Sequence, residues 1–229
     1  MTAHRAKRVR NAVFLAAVLT SGCAGRAGLP GGVEHVGSGV EASETRPLAA
    51  FDSLDIGAQI HATWQPGEPA EAVVTGDDNL LEFVRTDVAG GTLDVGLQNG
   101  SYRWKAGPAR VDITGPQPRS IDLGGQSRLS AEGIAVSDLA VDGGGQAQMT
   151  LDVQAETLVV DLGGQSVLTL TGTVGTLTLD LGGQSRCDLS GLQVQTLRGD
   201  AGGQSRVTHA AGVDASIETS AQASVRVVD

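Results

Sequence analysis

Aromatic side chains are scarce: three Phe, two Trp and one Tyr make up 3% of the 229 residues. An interior cannot be built around rings here and must be filled by Leu, Val, Ile and Ala. Two cysteines exclude a disulfide framework. The histidines His4, His35, His61 and His209 lie too far apart in the chain to suggest a metal site or a catalytic triad. Positive charge is also short, with 16 Lys and Arg against 26 Asp and Glu. Four of the basic residues (Arg5, Lys7, Arg8, Arg10) and no acid fall in the first 22 positions, so the remainder has 12 basic against 26 acidic residues, a net −14. Such a surface repels nucleic acid and anionic lipid. The longest apolar run near the N-terminus, Ala12 to Leu19, falls well short of the about 20 residues that cross a bilayer.

Glycine is plentiful, 33 in all, and much of it belongs to one phrase repeated along the second half of the chain. The phrase reads Asp122-Leu-Gly-Gly-Gln126-Ser, Asp142-Gly-Gly-Gly-Gln146-Ala, Asp161-Leu-Gly-Gly-Gln165-Ser, Asp180-Leu-Gly-Gly-Gln184-Ser and Asp200-Ala-Gly-Gly-Gln204-Ser, with a worn copy at Glu218-Thr-Ser-Ala-Gln222-Ala. Its glutamines are spaced by 20, 19, 19, 20 and 18 residues. A period of this size describes supersecondary units that bury their apolar faces only by stacking on one another.

Between the phrases apolar and polar residues alternate with period two, as in Leu158/Val160/Leu162 before a Gly-Gly and Leu168/Leu170 after it. Both strands of a coil therefore turn one face inward. The Gly-Gly pair supplies a sharp corner at positive φ or close backbone approach, and a softer corner is expected near Gly133, Gly172 and Gly191. The expected fold is all-β, a single-stranded right-handed β-helix with coils of about 19–20 residues. A leucine-rich repeat would need Asn at the strand end and a helical return. A left-handed hexapeptide helix would need aliphatic signposts every six residues. Neither pattern is present. The inward row Leu129, Met149, Leu168, Cys187, Val207 and Val225 should run continuously through the stack. On this parity Cys187 is a small buried hydrophobe and His209 points inward.

Upstream of the repeats the chain has three parts. Residues 1–22 have the basic, apolar and small-residue regions of a signal peptide, and Leu19-Thr-Ser-Gly-Cys23 resembles a lipobox, which makes Cys23 the expected lipidation site. Several acyl chains on one residue anchor stably where a single chain does not. Residues 23–45, rich in Gly, are expected to be a flexible tether. Residues 46–229 form the folded domain, with a non-repetitive N-terminal part at 46–118 and the repeats at 119–229. In that first part Asn79 and Glu82 have the spacing of a capping box, which predicts a short helix over the open end of the core. Asn99-Gly100 predicts a hairpin turn after Leu93 to Leu97. The outgoing Tyr102, Arg103, Trp104 and Lys105 alternate sides and hold two of the six aromatic residues. They are the candidate ligand contacts; the competing structural account has the rings lying over the first coil.

The aspartates Asp122, Asp142, Asp161, Asp180 and Asp200, with Glu218, share an outward parity and should stack about 4.8 Å apart. At that spacing two carboxylates repel by about 1 kcal/mol even in bulk water. Raised pKa values, hydrogen bonds from the corner amides as turn caps, or bound Ca²⁺ would each relieve this, with Arg128, Arg186 and Arg206 as partial cover. The glutamines are expected to chain amide to amide up the corner. Apart from calcium at that row, no cofactor is indicated. The Gly-Gly phrases lack the Lys-Ser/Thr and following helix of a phosphate loop.

These residues resemble a known family, the bacterial putative auto-transporter adhesins with a head GIN domain. The likeness covers about Arg46 to the C-terminus and rests on Arg46-Pro-Leu-Ala-Ala-Phe51-Asp52-Ser-Leu54, Gly76-Asp-Asp-Asn79-Leu80-Leu81, Leu93-Asp-Val95, Val111-Asp-Ile113-Thr-Gly-Pro116 and the Gly-marked corners. This chain writes Gly-Gly-Gln-Ser where the family more often has Gly-Ser-Gly-Asp, so no role of that Asp carries over. The resemblance implies a β-helix without established catalytic residues and an adhesive role. With the leader, it gives the expected function: a non-catalytic lipoprotein of the cell envelope, exported and held at the outer membrane by its lipid, serving as an adhesion or surface-scaffold module. Its partners would be the membrane and a glycan or protein ligand, with self-association left open and no nucleic acid. The alternative is a β-helix that binds or cleaves polysaccharide, using two carboxylates.

Overall fold

A computed structural model of the chain describes residues 34–229; the leader and Cys23 lie outside them. The repeats are a β-solenoid, as the alternation requires. Four long strands, β11 (Arg128–Gly143), β12 (Gln148–Leu162), β13 (Val167–Leu181) and β14 (Arg186–Ala201), lie parallel and in register on one another, preceded by β10 (Ser120–Leu123) and followed by β15 (Arg206–Ala210), β16 (Asp214–Thr219) and β17 (Ser224–Val228). The softer corner does not break the strand. Each long strand bends through it, with register shifts after Ala131 and Thr169, and positive φ at Gly133 and Gly172. The inward row is continuous: Leu129, Met149, Leu168, Cys187, Val207 and Val225 are successive partners, and all but the last, half-buried Val225 are buried.

The sharp corner separates the two glycines of each pair. A Cβ on Gly163 would meet nothing within 4 Å, whereas on Gly164 it would lie 2.5 Å from the carbonyl oxygen of Gly145. Gly164 also has φ +66°, where an L side chain is strained. The same holds down the file, with Gly145 against Gly125 and Gly125 against Ala58. Close stacking lets each corner glutamine donate its backbone N–H to the coil below, as from Gln165 to Gly145 and Gln184 to Gly164, both at 2.7 Å. Inside the turn the Ser127 and Ser166 hydroxyls donate to the Gly124 and Gly163 carbonyls at 2.5 and 2.7 Å.

The stack begins earlier than the repeat suggests. Strands β3 (Ser53–Ile56) and β4 (His61–Pro66), joined by the corner Gly57-Ala58-Gln59-Ile60, form a complete coil directly beneath β10 and the first part of β11. Asp55-Ile-Gly-Ala-Gln59 is thus another copy of the phrase, with Gln59 lying 67 positions before Gln126. Beneath that coil lie β7 (Thr92–Leu97) and β9 (Arg110–Gly115), parallel to β3 and β4. The chain therefore lays down one coil, makes a second below it, and crosses over the first to begin β10.

Antiparallel strands close this lower end, in place of the expected helix. Strand β6 (Val84–Ala89) forms a hairpin with β7 across Gly90-Gly91, while β2 (Glu41–Pro47) and β5 (Glu71–Asp77) extend the sheet beyond β9. Only a three-residue 3₁₀ turn, Leu81–Phe83, stands where the capping box was read, and it has no side-chain cap. Asn79 instead accepts from the Ser38 N–H at 2.8 Å and donates to the Val36 carbonyl at 3.0 Å. Those partners belong to a segment expected to be tether. In fact β1 (Glu34–Val36) and β2 are strands, so the segment from Glu34 to Thr45 is not a tether.

Substitution at the two glycines of one corner should therefore diverge. Gly164→Ala is expected to destabilise by at least about 2 kcal/mol, whereas Gly163→Ala should be neutral or stabilising by about 0.5 kcal/mol. Urea unfolding of the two variants checks this; equal midpoints would refute the assignment.

Candidate functional site

The corner file ends at Ala58, because the coil below has no corner. There the chain between β7 and β9 runs out through Gln98 to Ala109 and includes β8 (Ser101–Arg103), which pairs in parallel with β1 rather than folding back on β7. Asn99-Gly100 therefore turns the chain but does not make the expected hairpin. Between this outward run and the last corners lies a cleft of about 500 Å³. Its walls are Ala58, Gln59 and Gln126 on one side and Gln98, Asn99, Tyr102 and Trp104 on the other. No charged side chain lines it.

The alternation along 102–105 is as expected, but only half of the four candidate contacts face the cleft. Tyr102 and Trp104 line it, with ring centroids 6.5 Å apart. Arg103 points away and pairs with Glu34 at 2.8 Å, and Lys105 is also exposed outside the lining. The rings are fixed in place. Tyr102 stacks on His35 at 5.2 Å, leans on Phe83 at 5.5 Å and donates its hydroxyl to the Gln98 carbonyl at 3.0 Å. Trp104 is half-buried against the core beside Gly76, where a Cβ would come within 2.8 Å of the indole ring. A rigid, uncharged cleft with two aromatic faces and several amides can take a ligand by stacking and hydrogen bonding.

A residue with no signal of its own in the sequence holds the segment behind the cleft. The carboxylate of Asp77 is 0% exposed. One oxygen accepts from the Gly39 N–H at 2.6 Å, and the other from the Lys105 and Ala106 N–H groups at 2.8 and 3.1 Å. Burial by itself pushes this carboxyl up, but the three donors and the Lys105 charge outweigh it and hold its pKa below the ordinary carboxylate range. Asp77 thus ties the bend that follows Trp104 to the segment following β1. Its sequence, Gly76-Asp-Asp-Asn79, reads as a helix start, and only the distant partners reveal its role.

The acidic row is longer than the repeats. Asp94, Asp55, Asp122, Asp142, Asp161, Asp180, Asp200 and Glu218 are successive register partners. Burial and then the neighbouring carboxylates raise the pKa values of Asp55, Asp142 and Asp161. Raised pKa values are one of the three reliefs expected for this row. Among the described residues Asp122, Asp142, Asp161, Asp180 and Asp200 accept no hydrogen bond from the corner, so they are not turn caps, and Arg128, Arg186 and Arg206 form no ion pair with them. Among the described residues only Asp94 of this row is paired, with Arg85 at 3.0 Å. A straight file also disperses the carboxylates: among the described residues no three or more His, Cys, Asp or Glu converge to hold a metal ion. Cys187 is buried, and burial followed by Asp188 pushes its thiol far up, which makes it inert.

With this geometry established, residues 50–229 match the family described as "Putative auto-transporter adhesin, head GIN domain". The chain belongs to that family. Solved structures similar to this head GIN domain include a putative adhesin from Bacteroides fragilis, at 15% identity and TM-score 0.72, covering 84% of this chain and 99% of that one. A putative lipid binding protein from Parabacteroides distasonis is 13% identical with TM-score 0.65, covering 86% and 100%. A putative adhesin from the same species is also 13% identical, with TM-score 0.61 and the same coverage. At these identities the likeness shows the fold. No curated protein matches the sequence.

The two kinds of carboxylate should respond oppositely to pH. Asp77, with its lowered pKa, contributes stability at neutral pH that is lost as pH falls through its folded value. Removing its charge in Asp77→Asn is therefore expected to destabilise by about 3 kcal/mol near pH 7 and less in acid. Asp161, with its raised pKa, favours folding only below its unfolded value, about pH 4, and opposes it as pH rises. Asp161→Asn should raise the melting temperature near pH 7 and leave it unchanged below about pH 4. Thermal melts across this range check both signs.

Proposed function

We propose that this head GIN domain is the non-catalytic adhesion module of an exported lipoprotein, held in the outer membrane through Cys23. The module presents the Tyr102/Trp104 cleft to a glycan or protein ligand. The observation that carries the reading is the cleft itself. It is the place where the stack departs from repetition, and two of the few aromatic side chains are fixed there on otherwise uncharged walls. The family description and the leader-like residues 1–22 before Cys23 support export and a surface role. Among the described residues no helix is long and apolar enough to cross a membrane, so attachment would rest on the lipid.

Repetition also favours binding over cleavage. The ladder acids from Asp122 to Asp200 repeat one exposed position from coil to coil, whereas hydrolysis of a glycan needs two carboxylates in different environments across one bond.

Two measurements test this reading. Cys23→Ser should abolish labelling by a palmitate analogue and release the protein from the membrane fraction; labelling that persists refutes the anchor. On arrays of glycans and matrix proteins, Trp104→Ala should lose the wild-type signal by about tenfold or more while folding normally. An unchanged signal, or polysaccharide cleavage lost on mutating a single carboxylate, would overturn the reading.

A further inference from the structure

One residue is spelled identically at every corner of the stack. Gln59, Gln126, Gln146, Gln165, Gln184, Gln204 and Gln222 occupy equivalent positions, while everything around them drifts. The glycine before becomes Ala58 and Ala221, the first corner residue becomes Ser220, and the residue after is Ser, Ala or Ile60. The fold uses only the backbone of these glutamines. Each from Gln126 to Gln222 donates its N–H to the carbonyl of the second corner residue of the coil below, at 2.7–2.8 Å, which any residue but proline could do. The side chains are all exposed, and among the described residues their amides make no hydrogen bond, either with one another or with a neighbour. The amide-to-amide chain expected from the sequence is therefore absent, and packing gives no reason for the choice of Gln.

The amides rise at strand spacing, about 4.8 Å per coil, so six steps from Gln59 to Gln222 span roughly 29 Å along the solenoid axis. At its lower end the file enters the cleft, where Gln59 and Gln126 face Tyr102 and Trp104. We propose that the glutamine file is a binding track for an uncharged polysaccharide, which lies along the corner with one end seated on Tyr102 and Trp104. This rests on the reading of the cleft as the ligand contact.

The chemistry selects the ligand. An amide offers a donor and an acceptor at each step, which suits the hydroxyls of a regular chain, and aromatic faces suit the apolar faces of sugar rings. The cleft has no charge to hold an ionic group, and the acidic row, four residues before each repeat glutamine, would repel an acidic polymer. A folded protein would bury little area on a convex corner one residue wide, whereas a thin chain can follow it over its length.

The test uses the full-length chain on a graded series of neutral glucan, mannan and galactan fragments, with alginate as the acidic control. The triple variant Gln165→Ala/Gln184→Ala/Gln204→Ala lies away from the cleft. It should lose affinity for long neutral chains by about tenfold, retain short oligosaccharides and keep the wild-type melting temperature. Trp104→Ala should lose both lengths. A triple variant that binds long chains as wild type does overturns the track while leaving the cleft intact, as does a wild type that retains only alginate or a protein ligand through Trp104. A lower melting temperature with unchanged binding makes the glutamines a stabilising row and overturns the proposal. Indifference to Trp104→Ala as well removes the cleft reading itself.

Discussion

The constraint on which the rest depends is a contact with no room for a methyl group. At each sharp corner the second glycine lies at positive φ with the carbonyl of the previous coil where its Cβ would be. That approach lets the corner N–H of each coil bond to the coil below. It thereby fixes the register of everything that follows. With a side-chain period of two, a slip of one residue would turn Leu168 and Leu170 outward and Thr169 inward. The corner therefore sets the parity of the core, and with it the straightness of the acidic and glutamine rows. The end copies show the rule by exception. Ala58 has φ +64° but no corner beneath it, and Ala221 has φ +58° on the last described coil.

The same stacking gives carboxylates two opposite fates. In the ladder, identity of position brings like charges together, and burial followed by those neighbours raises the pKa values of Asp142 and Asp161. Backbone ladders and the apolar core offset this repulsion, since each ladder member keeps an exposed face to water. Asp77 is removed from water altogether and has three N–H donors in exchange. A buried charge is retained where its hydrogen bonds are complete. Its position behind Trp104 makes the segment that shapes the cleft a fixed wall.

What was legible in the sequence is what repetition and alternation encode. The inward row from Leu129 to Val225, the outward acids and the corner glycines follow from period two and from a period near twenty. The family resemblance agreed with them. Illegible were the features made by distant partners. The copy at Asp55 to Gln59 has the same spelling, but the insertion of β5 to β9 carries it out of period. Asn79 has the spacing of a helix cap, yet its amide is claimed by Val36 and Ser38. The turn at Asn99-Gly100 has hairpin chemistry, but β1 takes the strand that follows. From Glu34 to Thr45 the Gly-rich composition conceals strands that form only against β5 and β8. At the cleft, alternation places Tyr102 and Trp104 on one side, while the glutamines facing them, Gln59 and Gln126, required the stack.

The most direct test of this account is native-state hydrogen exchange at the corner amides. Each repeat corner looks like an exposed turn, and its side chains are exposed, yet the backbone N–H groups of Gln146, Gln165, Gln184 and Gln204 are bonded into the coil below. They should exchange only on global unfolding, as slowly as the core amides of β12 and β13, with Gln222 in the last coil faster. Exchange of Gln165 and Gln184 at the rate of a solvated turn would contradict the claim that the corner contact organises the fold.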